Sequence, residues 1–111
     1  MTKITRLAQN VAKGAKAEQE IGKALGLLKN TQKFPTSYGT RIPDFLTSTA
    51  IHEVKAVKKL NLIQQLQGFL EIAELTGRTL IIHIRQGTEL SRPLQKLADE
   101  GKIIIKRDTP F

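Results

Sequence analysis

The chain has 111 residues, enough for one domain with a modest core, and its 40% hydrophobic and 25% charged content excludes a disordered polymer. Lys+Arg of 18 against Asp+Glu of 10 gives +8, a charge that favours polyanions: nucleic acid, an anionic membrane surface or an acidic protein. The absence of cysteine excludes disulfides and thiolate metal sites, and the longest apolar runs, at 80–82 and 103–105, fall far short of the roughly 18 residues a membrane span needs.

In chain order, the first eleven residues carry basic side chains but no continuous apolar stretch, so no secretory signal is expected there. Ala17, Ile21, Ala24, Leu25 and Leu28 recur at three and four, predicting a helix over 15–28 that ends at Asn30-Thr31. Residues 34–40, with Pro35, Ser37 and Gly39, read as a loop. Arg41-Ile42 and Phe45-Leu46 form a short extended segment interrupted by Pro43. Residues 50–57 alternate as a strand, with Ile51, Glu53, Lys55 and Val57 on one side and His52, Val54 and Ala56 on the other.

Asn61 opens the next helix with Gln64 as its capping-box partner. Its buried stripe is Leu62, Leu66, Phe69, Leu70 and Ala73, and Gly77 closes it. Residues 79–84 are the clearest strand. A short helix starts near Ser91 with Pro93 in its first turn, faces Leu94, Leu97 and Ala98 inwards and stops at Gly101. Residues 102–107 make the last strand. No repeat, low-complexity stretch or linker interrupts the order, so residues 1–111 read as one unit. The expected fold class is α/β (α+β), a mixed sheet flanked by helices in the order α-β-β-α-β-α-β.

Chemistry concentrates at Pro43-Asp44 and Glu53-Val54-Lys55. Residues two apart on a strand share a face, so Glu53 and Lys55 project together while Val54 turns the other way, towards a core. With Asp44 across a turn from Glu53, two carboxylates converge beside one ammonium. Two acids offer oxygen ligands to Mg²⁺, and the lysine can position water and steady charge developing on a phosphate.

Each element has a plainer reading. Asp44 after proline can cap a turn, and an isolated Glu-x-Lys is commonly a solvated strand face. Ile51 and Val57 on the same side argue for burial of that face, where charges require a metal or a function. His52 points away from Glu53, and His83 lies in an apolar strand as a hydrogen-bonded structural residue, which removes a zinc site as the primary reading. No HExxH, Ser-His-Asp order or phosphate-cradling loop is present. Lys58 and Lys59 follow the Glu-x-Lys strand closely enough to meet substrate phosphates, and Arg85 and Arg92 flank the Thr88 loop and can do the same. Aromatic side chains for base stacking are few, with Phe34 and Tyr38 the nearest to Asp44.

The runs Arg41-Ile42-Pro43-Asp44, His52-Glu53-Val54-Lys55 and Gln64-Gln65-Leu66 resemble the PD-(D/E)XK restriction-endonuclease-like superfamily. More narrowly, with residues 84–94, they resemble nuclease toxin domains of bacterial polymorphic and contact-dependent growth inhibition toxins. The likeness covers about residues 14–107. It implies a restriction-endonuclease-like core in which Asp44, Glu53 and the Val54 carbonyl hold a metal and Lys55 is the catalytic lysine. Gln65, with Gln64 as competitor, orients water or phosphate, and Glu18, with Glu20 as competitor, supports the metal from the first helix. The implied ion is Mg²⁺, with Mn²⁺ or Zn²⁺ as alternatives.

The expected function is a metal-dependent endonuclease acting on DNA, with tRNA or other RNA as the alternative substrate. It would be delivered from a producing bacterium, act in the target-cell cytoplasm without membrane insertion, and be restrained by an acidic immunity protein. The rivals are a non-catalytic basic nucleic-acid-binding module, and an immunity or adaptor protein that binds through residues 80–92.

Overall fold

The computed structural model describes the backbone of residues 3–109, and within the first helix the side chains from residue 13 onwards. The reading of the first eleven side chains therefore lies outside the described residues. Helix α1 spans Lys3–Leu25, followed by strands β1 Phe34–Thr36, β2 Gly39–Arg41, β3 Phe45–Leu46, β4 Ala50–Lys55 and β5 Lys59–Leu60. Helix α2 Gln64–Thr76, β6 Thr79–Ile84, β7 Glu89–Leu90, α3 Arg92–Asp99 and β8 Ile103–Lys106 complete the order.

The central sheet runs β3-β4-β6-β8. β3 is antiparallel to β4, whereas β4, β6 and β8 are mutually parallel and joined through α2 and α3, so the sheet is mixed as expected. Register puts Ile51, Glu53 and Lys55 opposite Leu80, Ile82 and Ile84, and Leu80 and Ile82 opposite Ile103 and Ile105. The apolar members of this face pack with Leu66, Phe69, Ile72 and Ala73 of α2 and Leu94 of α3 into the main core. A fully buried Leu, Ile or Phe there contributes about 1.5–3 kcal/mol. Glu53 thus points into the main core side of the sheet. The expectation that Val54 takes that side is corrected: Val54 is half-buried, and Val57 lies exposed beyond the strand.

On the other face α1 packs against β4, burying Ala17 and Ile21. Close approach there requires glycine at 22, where a Cβ would stand 2.7 Å from the Phe45 ring. Helix α1 begins well before residue 15 and stops at Leu25, because Gly26 takes the left-handed conformation at φ 68°. Leu28 therefore leaves the buried stripe and stands 92% exposed.

Residues 34–41, read as a loop and part of an extended segment, form the β1–β2 hairpin instead. Three-residue strands carry little signal of their own. This hairpin is held by α2: the Ser37 N–H and hydroxyl both bond Glu71, at 2.7 and 2.6 Å, and Arg41 crosses the helix at Gly68. The capping box also fails. Helix α2 begins at Gln64 after Ile63, with no side-chain cap, while Gly77 closes it in the left-handed conformation as expected. The short strands β5 and β7 pair in parallel beside the main sheet.

Candidate active site

The pairing of β3 with β4 sets the geometry. Phe45 lies opposite His52, so Asp44, one residue earlier, comes level with Glu53 at the carboxyl end of β4. Asp44 is fixed at both levels of its structure. Its Oδ2 accepts the Val54 N–H at 2.9 Å, and its backbone carbonyl accepts the Asn30 N–H at 2.9 Å.

Glu53 is 1% exposed, and its Oε1 has no hydrogen-bond partner. Burial holds its carboxyl well above the usual range, and the hydrogen bond and negative charge of Asp44 push it further, against the opposing pull of Lys55. Lys55 Nζ lies 3.9 Å from Glu53 Oε2 and donates a short hydrogen bond to Gln65 Oε1, in the first turn of α2. The structure thus brings Asp44, Glu53, Lys55 and Gln65 together from the bend before β3, from β4 and from α2.

An orphaned, buried carboxylate oxygen beside a second carboxylate is an arrangement that a divalent cation completes. Among the described residues no group of three or more acidic or histidine side chains gathers at one point; the carboxylates set side by side here are those of Asp44 and Glu53. That sparse oxygen set fits Mg²⁺, which keeps several waters and takes one or two carboxylates.

A family model described as restriction endonuclease fold toxin 7 matches residues 14–94, most of the chain and every residue of this cluster. The chain belongs to this family. No curated protein and no solved structure gives a match. Membership fixes the fold as that of restriction endonucleases and the class as a nuclease-like toxin. No helix among the described residues is long and apolar enough to cross a membrane.

In each of the two competing pairs one member lies nearer the cluster. Glu18 is partly buried and bonds Lys29, which reaches to within 3.7 Å of Asp44 Oδ1, whereas Glu20 is exposed. Gln65 meets Lys55, whereas Gln64 is exposed. Lys58 and Lys59 stand exposed on the segment leading from β4 into β5. Arg85 follows β6, where Lys55 pairs with Ile84, so it emerges at the same sheet end as the carboxylates. Sequence reasoning missed Lys29 and Asn30, whose approach to Asp44 depends on a loop with no periodic signal.

The histidines lie on the opposite face from Glu53. His52 Nδ1 and His83 Nε2 are 2.9 Å apart, and His83 Nδ1 meets the Asp108 carboxylate at 2.9 Å. A carboxylate only accepts, so His83 donates its Nδ1–H to Asp108, and His52 Nδ1 and His83 Nε2 share one proton between them. Burial first, then His83 and Lys106, hold His52 below the ordinary histidine range, against Asp108. This row of hydrogen bonds ties the segment after β8 to the sheet. Asp108→Ala leaves a buried N–H without its acceptor and is expected to cost about 1–3 kcal/mol in urea unfolding, with cleavage by the folded variant unchanged.

Proposed function

We propose that this toxin domain is a divalent-metal-dependent endonuclease that hydrolyses phosphodiester bonds in DNA. The observation that carries the reading is the buried Glu53 carboxylate, with an unsatisfied oxygen, set level with Asp44 and flanked by Lys55. Asp44, Glu53 and the Val54 carbonyl would hold Mg²⁺, with Mn²⁺ or Zn²⁺ as possible substitutes. Bound there, the ion supplies Lewis-acid polarisation of a phosphate oxygen and acidifies water.

The chain's own residues do the rest. Lys55, oriented by Gln65, positions the attacking water and balances charge on the phosphate. Glu18 supports the acidic end of the site from α1. Lys58, Lys59 and Arg85 contact backbone phosphates, giving affinity without sequence preference. The net charge of +8 supports both a nucleic-acid substrate and an acidic immunity protein that covers the site. We read residues 1–111 as a single nuclease domain, with its core over about 14–107, delivered from a producing bacterium and active in the target-cell cytoplasm.

The test incubates the purified domain with plasmid DNA and with total tRNA, in Mg²⁺, Mn²⁺, Zn²⁺ or EDTA. Loss of plasmid in metal and its protection in EDTA is the expected result. Loss of tRNA alone would move the substrate to RNA, and no cleavage of either with any metal would overturn the nuclease reading.

A further inference from the structure

The acidic end of the site is met from outside by Lys29. Its ammonium bonds Glu18 and stands 3.7 Å from Asp44 Oδ1. The hydrogen bond to Glu18 raises its pKa despite partial burial, with Asp44 and Glu53 adding to the effect.

This position is built into the backbone. The next residue, Asn30, donates its N–H to the Asp44 carbonyl at 2.9 Å and its Nδ2 to the Pro43 carbonyl at 3.0 Å, so the Lys29 segment is stapled to the Pro43-Asp44 segment. The tip, by contrast, has room to leave. The Lys29 side chain is 62% exposed and borders a groove of about 460 Å³ lined also by Glu18, Gly22, Lys23, Leu28 and Phe45. One monovalent ammonium is therefore held next to two carboxylates, while the buried Glu53 Oε1 still lacks a partner.

We infer that Lys29 is the resident counter-ion of this site, so that its ammonium and a divalent cation are alternative partners of Asp44. The inference rests on the metal-dependent reading proposed above. Before metal loading, Lys29 offsets the repulsion between Asp44 and Glu53 and occupies Glu18. With a divalent ion bound by Asp44, the Lys29 ammonium would give up Asp44 and swing towards solvent, and its hold on Glu18 would loosen. Lys29 thus sets how readily the site loads, without being a ligand.

The experiment is Mn²⁺ binding, read by electron paramagnetic resonance of the free ion, to the wild-type protein and to Lys29→Met, Lys29→Arg, Lys23→Met and Asp44→Ala. Circular dichroism checks that each is folded. Lys29→Met is expected to bind Mn²⁺ about three- to five-fold more tightly at low salt, the scale of an exposed ion pair, and the difference shrinks at high salt. Lys29→Arg, which keeps the charge, and Lys23→Met, which removes a charge from the same groove, should stay within about 1.5-fold of wild type.

Equal Mn²⁺ affinity for wild type and Lys29→Met, with binding lost in Asp44→Ala, would overturn this inference alone. An equal gain in Lys23→Met would also overturn it, by making the effect one of overall charge. Absence of Mn²⁺ binding by the wild-type protein would remove the metal reading and this inference with it.

Discussion

Glu53→Gln is expected to lower metal-dependent cleavage by about 10²–10³-fold or more while raising the melting temperature of the metal-free protein at pH 7–8. The two effects have one cause. Glu53 is held well above the usual carboxylate range chiefly by burial, then by Asp44. A raised folded-state pKa means that the folded protein binds this proton more tightly than the unfolded chain does. That contribution to stability is fully present below the ordinary glutamate value and is lost as pH rises through the raised one. Above it, the folded state carries a buried carboxylate beside a second one. Glutamine keeps the shape without the charge, so it relieves roughly 1–3 kcal/mol at neutral pH, or several degrees in a domain of this size. Thermal melts in EDTA should show the gain at pH 8 and little of it near pH 4.5. With Mg²⁺ the order should reverse, because only the wild-type protein gains stability by binding the ion. A Glu53→Gln protein that melts below wild type in EDTA at pH 8 would make Glu53 a satisfied structural residue.

The parts of the fold that were legible in the sequence are those whose signal is local. The alternation through Ile51, Glu53 and Lys55 gave the face that carries the acid and the lysine, and β6 coincides with its predicted limits of 79–84. Gly77 marks a helix end because the left-handed conformation there depends on the residue itself, and Pro93 sits in the first turn of α3, where its missing N–H costs nothing. The family resemblance and the mixed-sheet class agree with the matched family and the observed sheet.

What stayed hidden depends on contacts between distant residues. The β1–β2 hairpin exists because Glu71 and Gly68 of α2 receive it. The two-residue strands β5 and β7 exist only as a pair across the chain. Leu28 continues the helical period, yet Gly26 has already turned the chain, and the segment it releases carries Lys29 to Asp44. The partner of His83 likewise comes from Asp108, beyond the last strand.

Lys55 is expected to show the second large effect: Lys55→Met should slow single-turnover cleavage by about 10²–10⁴-fold with Mn²⁺ binding retained or strengthened. Methionine fills a similar volume but removes the charge 3.9 Å from Glu53, so the loss reports on the ammonium and not on packing. Lysine to arginine should not rescue, since a planar fork cannot replace a compact ammonium between Glu53 and Gln65. Gln65→Leu leaves the ammonium in place without its acceptor and should cost less, on the order of 10-fold, by loosening its orientation. If Gln65 acts through the Lys55 ammonium that it bonds, the double variant should be no slower than Lys55→Met alone. If the two losses instead multiply, Gln65 acts on water or phosphate independently of Lys55, and α2 contributes a group to the reaction directly instead of merely steadying the lysine.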